Sequence, residues 1–173
     1  MPKPLVAILM GSDSDLPIMA ETVRVLNSFE VAHEILVSSA HRSPERTSRY
    51  VRSAPGRGVR VFIAGAGGAA HLAGAVAAMT TLPVIGVPLP GSDLNGLDAL
   101  LATVMMPPGV PVATVAVGKM GARNAGYLAV SILALADDRL ARRLVAHKKT
   151  MAEEVAAKSK KLPASLEKIL SAK

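Results

Sequence analysis

Five short runs of apolar residues alternate with stretches long enough to form helices, and this alternation restricts the fold more than any other feature. The runs are rich in valine, isoleucine and leucine, and they cover residues 5–10, 35–37, 59–64, 83–87 and 112–117. Such runs are typical of strands buried on both faces of a parallel sheet. Helical segments between them indicate right-handed crossovers. The sequence therefore predicts a three-layer α/β/α sandwich with a parallel sheet in the order 2-1-3-4-5.

The connecting helices are predicted from apolar residues at helical spacing. They are expected over residues 16–28, from Ser43 onwards, and over 70–79, 97–104 and 122–136. Ser43 suits a helix N-cap, and Pro44 and Glu45 suit the first turn. Beyond residue 137 we expect one or two amphipathic helices that are broken at Pro163.

The length of 173 residues fits a single domain, which we place over residues 1–173. Residues 5–137 are expected to form the α/β core, and residues 138–173 a C-terminal helical extension. A long helix outside a finished sandwich usually packs on another subunit or on the edge of the sandwich. The extension therefore predicts a subunit contact in a homo-oligomer.

The formal net charge of +7 lies entirely at the C-terminal end. Residues 1–138 hold ten basic and ten acidic side chains, whereas residues 139–173 hold ten basic and three acidic ones. Aromatic side chains that could stack on bases amount to two Phe and two Tyr, with no Trp. We therefore interpret the basic end as a solvated face or a subunit contact, and we expect no nucleic-acid partner.

Targeting signals and cysteines are missing from the sequence. Charged residues, Gly or Pro interrupt each apolar stretch before the roughly 18 residues that a membrane span requires. The N-terminus lacks the cleavage site of a secretory signal, and the chain contains no cysteine. We expect a cytoplasmic protein without a membrane partner.

Three polar loops directly follow the first three apolar runs. The first loop comprises residues 11–15, the second loop residues 38–42 and the third loop residues 65–72. In an open parallel sheet the ligand crevice lies beyond the carboxyl ends of the strands, where the winding reverses. We therefore expect the three loops to converge on one ligand.

The first and second loops carry groups suited to a phosphate-bearing ligand. Ser12 and neighbouring backbone N–H groups can bind an anion at a helix start, and Asp15 can accept from sugar hydroxyls. Helix capping alone would explain at least one of these polar residues. In the second loop, Arg42 can offer a guanidinium fork to the same phosphate, and His41 can move protons near neutral pH. Considered separately, Arg42 and His41 would each be interpreted as a solvated surface residue.

The third loop consists almost entirely of small residues up to His71. Small side chains allow the backbone to approach a planar ligand closely, although tight packing of a helix on the sheet would account for them equally well. His71 either lines the resulting space or simply occupies the first turn of a helix. We retain it as a secondary candidate.

Motifs for common cofactors do not fit. Residues 65–70 match the spacing G-x-G-x-x-A, but they follow the third strand, and no acidic residue lies about 20 positions further on. No Walker lysine pattern occurs, and the four histidines are not spaced as a metal site. We expect neither a metal nor an organic cofactor.

Together these stretches resemble a known family, the class I N5-carboxyaminoimidazole ribonucleotide mutases of purine (IMP) biosynthesis, also called the bacterial-type phosphoribosylaminoimidazole carboxylase catalytic subunit. The resemblance rests on residues 10–15, 39–44, 63–72, 83–88, 106–114 and 124–125, which follow in order between residues 5 and 137. It implies a flavodoxin-like sandwich, a homo-octamer with sites shared between subunits, and a cofactor-free isomerase that acts on a small ribonucleotide.

Residue roles follow from the same resemblance. His41 is implied as the general acid and base, with Ser12, Asp15 and Arg42 binding the substrate. A second tier of substrate-binding positions comprises Ser39, Gly67, Ala70, His71 and Leu72.

Three positions depart from the family pattern, and other functions remain open. Leu16 stands where Trp is common, Ala73 where Pro is common and Met105 where Gln is usual. The alternative enzyme is a class II carboxylase that adds free carbon dioxide to aminoimidazole ribonucleotide. A flavin carrier could share the sheet, but it would require flat side chains around its ring.

Overall fold

The structure is a computed structural model that describes residues 3–171. Its strands are β1 Val6–Met10, β2 His33–Val37, β3 Val61–Ala66, β4 Val84–Pro88 and β5 Ala113–Thr114. Its helices are α1 Leu16–Ser28, α2 Pro44–Arg57, α3 Leu72–Ala77, α4 Leu97–Val104, α5 Gly118–Leu133 and α6 Asp138–Ser171. A short 3-10 turn over Asp13–Asp15 precedes α1.

The strands form one parallel sheet in the order β2-β1-β3-β4-β5, which confirms the predicted order and the flavodoxin-like sandwich. Every residue of β1 and of β4 is buried, as expected for strands that carry helices on both faces. The register aligns Met10 of β1 with Val37 of β2 and Gly65 of β3. The first three strands therefore end together at one edge.

Helices α1 and α4 have the predicted bounds, but β5 is much shorter than the predicted run of residues 112–117. Only Ala113 and Thr114 pair with β4, and a strand at the edge of the sheet has a neighbour on one side alone. Gly118 then takes a positive φ of 73°, and α5 begins there, four residues earlier than predicted.

Helix α3 covers only residues Leu72–Ala77 of the predicted 70–79. Gly68 and Ala70 have φ values of +60° and +43°, in the left-handed region. A right-handed helix cannot start until these residues have been passed. The residues before α3 therefore form a turn of the third loop.

The start of α2 lies at the predicted Ser43 and Pro44, but the serine does not cap the helix with its side chain. Its hydroxyl instead donates to the Ser39 carbonyl, 3.0 Å away. At the other end, Gly58 terminates the helix with a φ of +112°, the left-handed geometry that favours glycine.

Helices α1 and α5 pack together on one face of the sheet. The Thr22 hydroxyl donates to the Ala122 carbonyl at 2.7 Å, and the Arg123 Nε donates to buried Glu21 at 2.7 Å. Gly126 gives the close approach, because a Cβ there would lie 2.8 Å from the Val25 Cβ. This pairing fixes α1, which leads out of the first loop.

The chain divides into two compact units, Met1–Leu133 and Ala134–Lys173. The first unit holds the sheet and α1–α5, and the second contains α6. The expected break at Pro163 is wrong, since α6 continues through it. A proline inside a helix loses one hydrogen bond and costs about 3 kcal/mol, but the flanking Lys, Leu and Glu residues favour the helix on both sides. Within residues 3–171, no helix combines the length and apolar character needed to cross a bilayer.

Candidate active site

One cavity of about 430 Å³ opens where β1, β2 and β3 end, and all three polar loops line it. It contains each of the nine predicted site residues. The lining residues are Gly11, Ser12, Asp15, Ser39, Ala40, His41, Arg42, Ala66, Gly67, Ala69, Ala70, His71 and Leu72.

The first loop folds into a capping box around the 3-10 turn. The Ser12 hydroxyl accepts from the Ser14 N–H at 3.3 Å, and the Asp15 carboxylate accepts from the Ser12 N–H at 3.0 Å. Capping therefore involves both Ser12 and Asp15, more than the sequence suggested. Both side chains nevertheless line the cavity, whereas Ser14 does not.

Asp15 is held in an environment that disfavours its charge. Burial raises the pKa of its carboxyl above the ordinary value, and the nearby Asp13 adds to this. Hydrogen bonds from the backbone of Ser12 and Gly11 lower the pKa, but not enough to cancel burial. A sugar hydroxyl that donates to Asp15 would stabilise the ionised form of this poorly solvated carboxyl.

In the second loop, Arg42 lies against the first loop. Its Nη2 donates to the Gly11 carbonyl at 3.3 Å, and its backbone N–H donates to the Ser39 hydroxyl at 3.1 Å. The side chain is exposed and lines the cavity, so its guanidinium is open to a ligand there. Arg42 and Ser12 thus present a cation and a hydroxyl to the same space, an arrangement suited to a phosphate.

His41 of the second loop and His71 of the third loop form a hydrogen bond. The His41 Nε2 and the His71 Nδ1 are 2.7 Å apart, and the two rings are perpendicular with centroids 4.8 Å apart. One nitrogen must donate and the other accept, so at least one ring is uncharged at any time while the bond persists. The pair can therefore carry a proton and pass it between the two rings.

The sequence placed both histidines in the site but did not reveal their bond. They lie 30 residues apart on different loops, and no spacing rule connects such positions. His71 is the N-cap residue of α3, yet its side chain makes no capping bond. The ring is instead bonded to His41. His71 therefore both starts the helix and lines the cavity, so the two alternatives for this residue are both correct.

Close packing restricts side-chain size in the third loop. A Cβ on Gly67 would lie 3.2 Å from the Leu89 carbonyl oxygen. The Ala70 N–H donates to the Gly67 carbonyl at 3.1 Å, closing a turn in which Ala70 is buried and left-handed. Packing and an open cavity wall thus both call for small side chains here.

The three departures from the family pattern lie apart from this chemistry. Leu16 is 47% exposed at the start of α1, Ala73 is buried in α3, and Met105 is 78% exposed after α4. None of them is among the described residues that line the cavity. Within residues 3–171, no group of three or more His, Asp or Glu side chains is placed to hold a metal ion.

Comparisons with known proteins agree with one another. A family model described as AIR carboxylase matches residues 5–154. Proteins of Pyrococcus horikoshii and of Mycobacterium tuberculosis (strain H37Rv), each named N5-carboxyaminoimidazole ribonucleotide mutase, are 52% and 54% identical over 160 residues, or 92% of this chain. The alignments cover 89% and 91% of those proteins. A crystal structure of Treponema denticola PurE superposes with a TM-score of 0.83 at 28% identity, covering 92% of this chain and 98% of that one.

Proposed function

Since the chain belongs to the AIR carboxylase family, we propose that it is a mutase that converts N5-carboxyaminoimidazole ribonucleotide into 4-carboxyaminoimidazole ribonucleotide. The reaction is an isomerisation in purine biosynthesis. It moves one carboxylate from the exocyclic nitrogen N5 to the ring carbon C4. The observation that carries the proposal is the bonded pair of His41 and His71 at the wall of a cavity that also presents Arg42 and Ser12.

The polar end of the cavity suits the ribose phosphate. Arg42 and Ser12 bind the phosphate, and Asp15 accepts from a ribose hydroxyl. Ser39 lies on the same loop as Arg42 and accepts from its backbone N–H, so it shapes that end of the site. With the phosphate fixed there, the imidazole of the substrate extends towards the two histidines and the third loop.

His41 then acts first as an acid and later as a base. It donates a proton to N5, and the N5–carboxylate bond breaks to release carbon dioxide and neutral aminoimidazole ribonucleotide. The enamine-like C4 attacks the carbon dioxide and forms the new C–C bond. The uncharged His41 removes the proton from C4, which restores the aromatic ring and the starting protonation state.

The third loop keeps the carbon dioxide within reach of C4. Gly67, Ala70 and Leu72 contribute no polar side-chain atom to the cavity wall, so the gas is held in a small apolar space beside the ring. Proximity makes recapture faster than escape. Each step uses only protein side chains and the substrate, and we propose a cofactor-free reaction in the cytoplasm.

We further propose that the protein forms a homo-oligomer, an octamer as the family resemblance implies. Helix α4 and its flanks carry a cluster of apolar side chains that are 49–78% exposed, which we call the α4 face: Leu94, Leu97, Leu101, Val104 and Met105. Contiguous exposed apolar patches mark contact surfaces. Helix α6 also exposes Val155, Leu162 and Ile169 at intervals of seven residues, a spacing typical of helix–helix contacts.

A direct assay separates the mutase from the alternative carboxylase. The purified protein is given either the N5-carboxylated ribonucleotide or aminoimidazole ribonucleotide with bicarbonate, and formation of the 4-carboxylated product is followed in each case. We expect rapid product formation from the N5-carboxylated substrate alone. Faster formation from aminoimidazole ribonucleotide and bicarbonate would establish the class II carboxylase instead.

A further inference from the structure

The second loop is a closed turn tied to the end of β1. The Ser38 N–H donates to the Met10 carbonyl at 2.8 Å, which extends the pairing of β2 with β1 by one residue. The Ser43 N–H and hydroxyl both donate to the Ser39 carbonyl, each at 3.0 Å. These bonds fix the backbone on both sides of His41.

Beneath this turn lies a buried pair of hydroxyl groups. The Ser38 Oγ and the Thr47 Oγ1 are 2.8 Å apart, and the residues are 1% and 0% exposed. Thr47 belongs to the first turn of α2, and its hydroxyl also lies 3.3 Å from the Ser39 carbonyl and 3.1 Å from that of Ser43. The pair thus connects the end of β2 to α2 directly below the turn, and neither residue lines the cavity.

The two hydroxyls do not depend on each other equally, because Thr47 is the partner of the Ser38 hydroxyl, whereas the Thr47 hydroxyl also has the Ser39 and Ser43 carbonyls as acceptors. A buried hydroxyl that loses its partner costs about 1–3 kcal/mol, whereas removing both partners can be nearly neutral. Loss of the Thr47 hydroxyl therefore orphans that of Ser38 and favours a shift of the turn that restores a partner, whereas loss of the Ser38 hydroxyl leaves Thr47 its two carbonyl acceptors and removes only its link to the end of β2. The His41 ring is exposed, so its place follows the backbone of this turn and its bond to His71. A displacement of about 1 Å at a reacting group can cost on the order of 100-fold in rate.

We infer that Ser38 and Thr47 are positioning residues: the bond between their hydroxyls holds the second loop at a fixed distance from α2 and so orients His41 towards the substrate. The inference rests on the proposed function, in which His41 carries the proton. It predicts a larger effect on kcat than on KM, because the long Arg42 side chain can follow a small shift of the loop, whereas proton transfer cannot.

Four variants of the full chain test this, with kcat and KM measured on the N5-carboxylated substrate. Thr47→Val should lower kcat roughly tenfold and change KM less than about threefold. Ser38→Ala, which orphans no hydroxyl, should lower kcat by a smaller factor. Thr47→Ser keeps the hydroxyl and should retain kcat near the wild-type value. The double variant Ser38→Ala/Thr47→Val should lose less than the product of the two single losses, since no orphaned hydroxyl remains.

Thr103→Val is the matched control. Thr103 is 3% exposed in α4, and its hydroxyl donates to the Ala99 carbonyl four residues earlier at 2.6 Å. It resembles Thr47 in burial, in its bond within a helix and in lying outside the cavity, but its hydroxyl bonds to α4 and not to the second loop. Thr103→Val should lower the unfolding temperature and leave kcat unchanged.

Several results would overturn the inference. A wild-type kcat in well-folded Thr47→Val, or an equal fall of kcat in Thr103→Val, would remove the positioning role. If Thr47→Val does not fold, unchanged kcat in Ser38→Ala is sufficient to reject it. Inactive wild-type protein would instead contradict the proposed function, so the two failures can be told apart.

Discussion

At the scale of single residues, His41 and His71 link the second loop to the third through one hydrogen bond. In the proposed mechanism, this 2.7 Å bond gives His41 a partner that can supply or take up a proton between steps. The sequence singled out His41 first, because it stands beside Arg42 in the second loop, whereas His71 could equally occupy the first turn of a helix. The partnership depends on loops that meet only in the folded chain.

Substitution of the two histidines should separate their roles. His41→Asn should lower kcat by about 100- to 10,000-fold with little change in substrate affinity, because the proton donor is lost and the phosphate contacts remain. His71→Asn should lower kcat less, since His41 keeps its own ring. Steady-state kinetics with a binding titration provide the measurement.

The matched control for both is His33→Asn. His33 is partly buried at the start of β2, where its Nδ1 lies 2.9 Å from the Val31 carbonyl, and it is not among the residues lining the cavity. It should retain normal turnover. Near-normal turnover of His41→Asn would contradict the assignment of His41.

Asp15 should reveal a conflict between stability and function. Because folding raises the pKa of Asp15 above 3.8, the native state binds this proton more tightly than the unfolded chain does. The ionised group therefore lowers stability at pH values above its folded pKa, and this cost fades as the pH falls towards 3.8. Asp15→Asn should be more stable than wild type at pH 7 and bind substrate more weakly.

Thermal unfolding of Asp15→Asn and wild type across this pH range tests the sign. The stability difference should shrink as the pH falls, because the wild-type carboxyl becomes protonated. Asp93→Asn, at an exposed carboxylate outside the cavity, should show a smaller difference. An Asp15→Asn variant less stable than wild type at pH 7 would show that capping outweighs burial.

At the scale of elements, the strands and helices agree with their sequence patterns where the pattern of buried residues alone decides their bounds. Helices α1 and α4 have the predicted bounds, and the strand order is as predicted. The bounds failed where backbone geometry or an edge position decided them. Ala70 takes a left-handed conformation that its residue type does not predict. Pro163 lies inside a helix, although proline usually ends one.

The contact between α1 and α5 yields a prediction at this scale. Gly126→Ala would normally stabilise a helix by up to about 1 kcal/mol. Here the new Cβ would meet the Val25 Cβ at 2.8 Å and the Thr22 carbonyl oxygen at 3.2 Å, and overpacking typically costs about 1–3 kcal/mol. We expect a net loss of unfolding free energy, measured by chemical denaturation.

Gly56→Ala in α2 is the control, because a Cβ there meets no atom within 4 Å. It should be neutral or stabilising. A stabilised Gly126→Ala variant would mean that α1 and α5 can separate slightly without cost.

At the scale of the whole molecule, the α4 face is an exposed apolar surface that a single chain leaves unexplained. Leu101 is 52% exposed near its middle. If this face forms a subunit contact, Leu101→Asp should shift the protein to smaller assemblies, since a buried unpaired charge is costly. Light scattering coupled to size-exclusion chromatography measures the change.

Asn27→Asp, which adds the same charge at an exposed position of α1, should leave the assembly intact. Unchanged mass in Leu101→Asp would exclude the α4 face as an essential contact. A monomeric wild-type protein would contradict the proposed oligomer altogether.

The sequence by itself determined the parallel sandwich, its strand order and the loops that line the cavity. It could do so because burial on two faces leaves a pattern in the order of residues, and because the ends of the first three strands meet at one edge of the sheet. Only the tertiary structure decided the bond between His41 and His71, the hydroxyl pair of Ser38 and Thr47, and the left-handed Ala70. These depend on distances of a few ångströms between separate loops and helices, which residue spacing along the chain does not encode.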